Sequence, residues 1–372
     1  MSHREKSADI SSAGQFRMPA EWEPHFGTWV AWPHNQDTWP NNLAQAREEF
    51  HSLISIIGET DRHVYVCLND DRMSDDFALS LQHKFPSNLI LCRIPTNDAW
   101  ARDYAPTFVF NEQPRTSNTP RIPSWFPTEN RRLAAVDWKY NAWGGKYPPF
   151  DDDQKAAQHM AIQTGAKRVD SALHLEGGAI EVNGAGTLLT TRSCVLNANR
   201  NPTWNQSGIE DELKRNLGIE QIIWLSGDAI IGDDTDGHID QLARFVNATT
   251  IVYAWTDDEQ DPQFAKLTQN LNDLKDGLAK SDLEYELIPL PLPNRPVVFN
   301  EQRLPASYCN FYTTNGAVIV PQFGDENDDQ AVGVLRNLFE GRAIIPLKSN
   351  HLSVGLGSFH CLTQQLPALE NG

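Results

Sequence analysis

Apolar residues fall at helical spacing between Asn41 and Gly58, where Leu43, Ala44, Phe50, Leu53, Ile54 and Ile57 mark one face. Asp152 to Gly165, Asn201 to Leu217, Asp261 to Leu278 and Asp328 to Phe339 carry the same periodicity and predict further helices. Shorter apolar or β-branched runs stand beside them. His63 to Leu68, Leu89 to Ile94, Gln221 to Trp224, Glu284 to Ile288 and Ala343 to Pro346 predict strands. Asn183-Gly184 and Asn315-Gly316 predict hairpin turns of type I′, in which both central residues need φ above zero. Alternation of this kind predicts an α/β architecture with short mixed sheets, one per unit.

A strand-turn-strand phrase recurs through this pattern, each time opening on a polar group: AWARDYAPTFVF with Asp103, LHLEGGAIEVNGAGTLLTT with Glu176, DDTDGHIDQLARFVNATTIVYA with His238 and Asp240, ASYCNFYTTNGAVIVP with Asn310, and LGSFHCLTQQ with Cys361. An earlier phrase, HFGTWVAWP, surrounds Thr28. The groups lie about 50 to 75 residues apart, and repeated units of similar size commonly stack around an axis. Stacked in that way, the five polar positions converge on one composite site.

Composition adds bounds. The chain has 372 residues, 40% of them hydrophobic, enough for a large core. No Pro/Gly/Ser-rich linker divides it, so one catalytic domain is expected over 17–372, after a mobile segment over 1–16. The Pro- and Arg-containing stretch from Asn111 to Arg132 reads as a mobile insert. A net charge of −18 argues against a nucleic-acid partner, because no basic stripe is present to bind phosphate. The same acidity suits a small cationic ligand, and solubility alone would also account for it.

Cys67, Cys92, Cys194, Cys309 and Cys361 are odd in number and lack CxxC spacing, which argues against a disulfide framework or a zinc knuckle. The polar start MSHREKSADISSAGQF is unlike a secretory signal, and no stretch reaches the length of an apolar membrane span. A reduced, cytoplasmic protein without a membrane partner is expected.

MPAEWEPHFGTWVAWP, NDAWARDYAPTFV, VDWKYNAWGGKY, LEGGAIEVNGAGTLLTT, GDDTDGHIDQLARF, SYCNFYTTNGAVIVPQFGD and HCLTQQLP follow one another from Met18 to Pro367. Together they resemble the agmatine deiminase branch of the guanidino-group-modifying enzymes, the pentein superfamily, which also holds bacterial peptidylarginine deiminase and arginine deiminase. The resemblance implies a five-bladed α/β propeller of ββαβ units with an axial active site. It further implies hydrolysis of a guanidine, with neither a metal nor an organic cofactor. A homodimer is compatible with it.

The residues suit that chemistry. A guanidinium is planar and cationic, so Asp103 and Asp240 can grip its N–H pairs. Cys361 supplies the nucleophile, its thiolate favoured by a nearby imidazolium or by the substrate cation. His238 can give a proton to departing ammonia and then take one from water. Glu176 would orient His238 or share in guanidinium binding. Trp100 would flank the alkyl chain or the cation, and Asn310 would hold Cys361 or substrate. Agmatine, giving N-carbamoylputrescine and ammonia, is the expected substrate, because free arginine needs a cation for its α-carboxylate and a peptide needs an open groove.

Other readings stand beside these. Cys194 is the rival nucleophile, although it lies beyond its hairpin. Asp228, Asp233, Asp234 and Asp236 read as turn or loop residues, and Trp100 could be core. The glycines of VGLGSFH and Gly177-Gly178 suggest close approach of backbone to a ligand. His238, Asp240 and Glu176 could instead hold a metal, leaving Cys361 idle, and a noncatalytic propeller would require broken site positions. Ala105 stands where the related RD-x-G-P phrase has Gly, and Ala101 where a larger residue is common, so the pocket around Asp103 is reshaped.

Overall fold

The computed structural model describes residues 16–69, 83, 88–111 and 133–368. The expected mobile insert lies, past Asn111, outside the described residues, as do residues 1–15. Among the described residues the first strand is Phe16–Arg17, which starts one residue inside the stretch expected to be mobile and pairs antiparallel with Asn111 and Phe110.

Among the described residues, five sheets of three or four strands share one wiring. An antiparallel pair leads into a helix, and the strand after that helix returns parallel to the second member of the pair. One sheet takes Thr107–Asn111, Leu133–Lys139, the helix Asp153–Thr164 and Lys167–His174. The next takes Ile180–Val182, Thr187–Thr191, the helix Gln206–Leu217 and Gln221–Leu225. Ala243–Phe245, Thr250–Trp255, the helix Phe264–Leu278 and Glu286–Pro291 form a third. Tyr312–Thr313, Ala317–Gln322, the helix Asp328–Leu338 and Ala343–Lys348 form a fourth. The fifth joins far parts of the chain: Thr363–Pro367 pairs with His25–Ala31, which continues through the helix Leu43–Thr60 to Val64–Leu68 and Leu89–Arg93. Val298–Phe299 and Gln302–Arg303 make a separate hairpin.

Local chemistry explains where these elements depart from the periodicity. In the helix Leu43–Thr60, Phe50, Leu53, Ile54 and Ile57 are buried as expected, but Ala46 joins them and Ala44 is exposed. Gln206–Leu217 starts later than its apolar pattern because Asn201 is bound to other backbone. Its side chain donates to His174 O at 2.9 Å and to Val195 O at 3.0 Å, and Asn205 caps the helix by accepting from Gly208 N at 2.8 Å. Glu286–Pro291 and Ala343–Lys348 run past the prolines that seemed to end them. Both are edge strands, where a missing N–H is tolerated.

The two Asn-Gly turns are hairpins but not of type I′. Gly184 (φ 69°) and Gly186 (φ 96°) are left-handed while Asn183 is not; its side chain accepts from Ala185 N at 2.9 Å and Thr187 N at 3.0 Å, closing a wider loop. Neither Asn315 nor Gly316 has positive φ. The Asn315 amide instead exchanges two bonds with the His25 backbone, at 2.8 and 2.9 Å, and ties this hairpin to the fifth sheet. Among the described residues no helix is long and apolar enough to cross a membrane.

One regularity of this architecture places the chemistry. Asp103, Glu176, the His238/Asp240 pair, Asn310 and Cys361 each stand just before the first strand of a different sheet.

Candidate active site

Short helical turns, not the strands themselves, present the polar groups. Asp103 lies in the turn Ala101–Tyr104, Glu176 precedes Gly177–Ala179, His238 caps Ile239–Gln241 and Asn310 ends Tyr308–Asn310. Arg102, next to Asp103 in its turn, is directed elsewhere. Its guanidinium donates to Gln365 Oε1 at 2.7 Å and to Glu21 Oε2 at 3.1 Å.

The turns bring Asp103, Glu176, His238, Asp240, Asn310 and Cys361 together, all buried. Asp103 accepts from Gly178 N at 3.0 Å on Oδ1 and from Trp143 Nε1 at 2.9 Å on Oδ2. His238 Nδ1 is 3.7 Å from Asp103 Oδ1, and its Nε2 is 3.8 Å from Glu176 Oε2. Asp240 Oδ2 lies 2.7 Å from His360 Nδ1 and 3.4 Å from Cys361 Sγ. Asn310 Nδ2 donates to that sulfur at 3.1 Å. Gly178 is the backbone around which three of these groups close: a Cβ there would come within 2.5 Å of His238 Nδ1, 2.8 Å of Asp103 Oδ1 and 3.1 Å of Asp240 Oδ2. The bare Cα of Gly178 thus leaves room for these side chains. Gly177 meets the Arg102 carbonyl.

A cavity of about 750 Å³ opens onto this cluster. Asp103, Cys361 and Trp100 contribute to its wall with Trp143, Tyr140 and Tyr147. Trp100 packs on Trp39 with ring centroids 5.5 Å apart. Gly355 and Gly357 line the cavity too, but their bare Cα atoms are required by the Trp100 ring, which a Cβ at Gly357 would meet at 2.4 Å. Another depression, of about 790 Å³, lies near Arg192, Glu210 and Asp276 and holds none of these residues. Cys194 is fully buried and is not on the wall of the active-site cavity; its sulfur sits 3.9 Å from Glu176 Oε2.

Three atoms at the centre are buried with no hydrogen-bond partner: Asp240 Oδ1 and both ring nitrogens of His238. Buried polar atoms are ordinarily satisfied, so these three mark where a polar ligand belongs. The charges are set to receive it. Burial, reinforced by Asp240 and Glu176, pushes the Asp103 carboxyl up to about 6 against the pull of His238 and Trp143. Burial raises Glu176 as well, but Arg200 and His238 outweigh it and hold that group at about 2. For His238, burial disfavours the cation, yet Asp103, Cys194 and Glu176 prevail and raise its pKa well above the usual imidazole value. Burial and the carboxylates Asp240 and Asp103 push the Cys361 thiol well up, with Ser358 backbone and Asn310 opposing.

Several site neighbours escaped the sequence reading. Arg200, fully buried, donates to Glu176 Oε1 at 2.9 Å and also pairs with Asp236. Trp143 holds Asp103 from a run of left-handed residues, Ala142 (φ 51°), Trp143 (φ 55°), Gly144 and Gly145. Non-glycine residues in that region cost about 1–3 kcal/mol each. Its tandem glycines in NAWGG were the available signal; for Arg200, the demand of a buried Glu176 for a cation was. Glu176, Cys194 and His238 have donor atoms within 4.8 Å of one another, so a three-ligand metal site was a real alternative. Arg200 already pairs with Glu176, one of those three groups. Asp240, expected in such a ligand set, is outside it.

A sequence model of the Porphyromonas-type peptidyl-arginine deiminase family matches residues 17–367, and the chain belongs to that family. Agmatine deiminase from Medicago truncatula is 33% identical over 95% of this chain and 97% of its own. Among solved structures, C. jejuni agmatine deiminase, a cysteine-to-serine form with substrate bound, matches with a TM-score of 0.81 at 29% identity, covering 95% of this chain and 96% of that one. The Enterococcus faecalis agmatine deiminase matches with a TM-score of 0.82 at 28% identity, covering 96% and 98%.

Proposed function

We propose that the protein hydrolyses agmatine to N-carbamoylputrescine and ammonia through a covalent adduct on Cys361. The observation that carries this is the placement of Cys361, whose sulfur lies 3.4 Å from Asp240 Oδ2 and 3.1 Å from Asn310 Nδ2 beside a cavity that Cys361 and Asp103 both line, with His238 set between Asp103 and Glu176. Similarity to agmatine deiminases over nearly the full chain supports the same reading.

Asp103 and Asp240 hold the guanidinium, and Asp240 Oδ1 accepts one of its N–H groups. The bound cation neutralises the two carboxylates that otherwise keep the Cys361 thiol protonated. The thiol then releases its proton to solvent in the cavity, and the thiolate, with Asn310 donating to it, attacks the guanidino carbon. The C–N bond to a terminal nitrogen breaks, and His238 supplies the proton with which ammonia leaves. An S-amidino (thiouronium) adduct remains. His238, now neutral, takes a proton from water, whose oxygen adds to the carbon. The C–S bond breaks, the hydroxyl of the tetrahedral carbon loses its proton to solvent, and the neutral ureido product departs with the thiolate restored. Glu176, held by Arg200, orients His238 through this exchange, and Trp100 flanks the alkyl chain.

The five like-wired sheets are, in this reading, blades of a pentein propeller within one domain over 17–372. The enzyme acts in the cytoplasm on the path to putrescine.

Among the described residues lining the cavity, Lys146 is the single lysine or arginine, and Asp236 Oδ1 lies 3.0 Å from its ammonium. Asp37, Asp98, Asp153 and Asp234 line the same space. Burying the α-carboxylate of free arginine there without a partner is strongly unfavourable. Side-by-side turnover of agmatine, arginine and an arginine peptide, followed by ammonia and ureido product, should give agmatine by far the largest kcat/KM. Arginine equal to or better than agmatine removes the substrate assignment and leaves the deiminase chemistry. Loss of activity on thiol alkylation, with activity kept under chelation, separates this chemistry from metal-assisted hydrolysis.

The position of Asp103 near 6 predicts a pH profile. In the free enzyme Asp103 takes up a proton as pH falls through about 6, and its share of the grip on the cation is lost. The kcat/KM for agmatine should therefore have an acid limb near pH 6. The kcat limb should lie lower, because bound guanidinium keeps the carboxylate ionised. A kcat/KM profile flat from pH 5 to 7 would contradict this.

A further inference from the structure

The residue before the nucleophile has no part in the chemistry above, yet its surroundings are specific. His360 is 1% exposed, and its ring lies between two carboxylates: Nδ1 is 2.7 Å from Asp240 Oδ2 and Nε2 is 3.0 Å from Glu21 Oε2. Glu21 is fixed in turn. Its Oε1 is 2.9 Å from Arg244 Nη2 and accepts from Thr313 N at 2.9 Å, while Oε2 also meets Arg102 at 3.1 Å. His360 N donates to the Asn310 carbonyl at 3.2 Å, so the ring is set from the main chain as well. Asp240 Oδ2 is thereby occupied, and Oδ1 is the oxygen left without a partner.

We propose that His360, anchored by Glu21, is a positioning residue that clamps Asp240 by Oδ2 and so presents Oδ1 to the guanidinium. This rests on the deiminase reading of the site. Without the clamp, Asp240 could turn both oxygens to the Cys361 thiol, 3.4 Å away, and would offer the substrate a poorly placed acceptor.

The clamp needs a hydrogen on Nδ1, the nitrogen that faces Asp240 Oδ2. Burial, Arg102 and Arg244 draw the His360 proton off, and Glu21 and Asp240 retain it, with a net direction downward. Burial favours protonated Glu21 and Asp240, but their cationic neighbours outweigh it in both cases. The three groups are in direct contact and titrate as a unit.

Two substitutions separate clamping from mere packing. In His360→Asn the amide nitrogen falls near the place of Nδ1 and can still donate to Asp240; in His360→Gln it reaches toward Glu21 and leaves Asp240 unheld. With agmatine as substrate, His360→Gln should lower kcat/KM about 10- to 100-fold, with KM rising at least as much as kcat falls, and His360→Asn should recover most of the loss. Equal impairment of the two variants, or impairment of neither, at unchanged melting temperature would overturn the proposal. The ring nitrogens of His360 give a second readout in the wild type that needs neither variant nor turnover. Nitrogen-15 spectra at about pH 8 should show hydrogen on Nδ1; a bare Nδ1 would overturn the clamp. A wild type that turns over no guanidine would instead strike the deiminase reading, leaving the spectra to decide the clamp.

Discussion

Replacing Cys361 by serine is expected to lower kcat at least ~10³-fold, to a level set by whatever the remaining site contributes, with the fold and melting temperature unchanged. The hydroxyl would keep its place beside Asn310 but has no comparable nucleophilicity at neutral pH. Wild type quenched during turnover should carry an adduct that maps to the Cys361 peptide and not to Cys194. The structure sharpens this contrast, since Cys361 opens on the cavity and Cys194 is sealed behind Glu176. A folded serine variant with full activity, or an adduct on Cys194, would sink the assignment.

Removing charge from either aspartate should damage binding and rate together. Asp103→Asn keeps an oxygen for only one of its two donors, Gly178 N and Trp143 Nε1, sets an amide nitrogen against the other, and loses the ion pair. Asp240→Asn does the same opposite His360. Loss of one carboxylate from a desolvated ion pair costs about 3–5 kcal/mol, or roughly two to nearly four powers of ten in kcat/KM. His238→Ala should differ in kind, losing far more kcat than affinity, because its role lies in the two proton transfers. Steady-state kinetics on the three variants checks this, and normal constants in either aspartate variant would take that residue out of the guanidinium grip.

The helices and parallel returns of the fold were legible because apolar periodicity is a local property, and Phe50, Leu53, Ile54 and Ile57 mark it plainly. The gathering of Asp103, Glu176, His238, Asp240, Asn310 and Cys361 was legible through position. Each precedes the first strand of a like-wired sheet, so equal placement in the repeat becomes proximity in space. What local pattern could not reveal were the tertiary partners. Arg200 belongs to the Glu176 turn only after folding, and Trp143 reaches Asp103 only because four residues adopt left-handed φ. Asn315 is the same lesson at a turn. Next to glycine it suggested a type I′ hairpin, but its amide serves the distant His25 backbone, and that contact decides the conformation.

The pairing of Thr363–Pro367 with His25–Ala31 bears on the order in which the molecule can be completed. On the ribosome, His25–Ala31 can pair with Val64–Leu68 as soon as that strand emerges, but its other edge stays open until Thr363–Pro367 has been made. An unpaired edge is a template for association with other chains, so this is the interval in which nascent chains are exposed to one another. Cys361 enters its place only two residues before the strand that closes that edge. Placement of Cys361 and closure of that edge are therefore coupled.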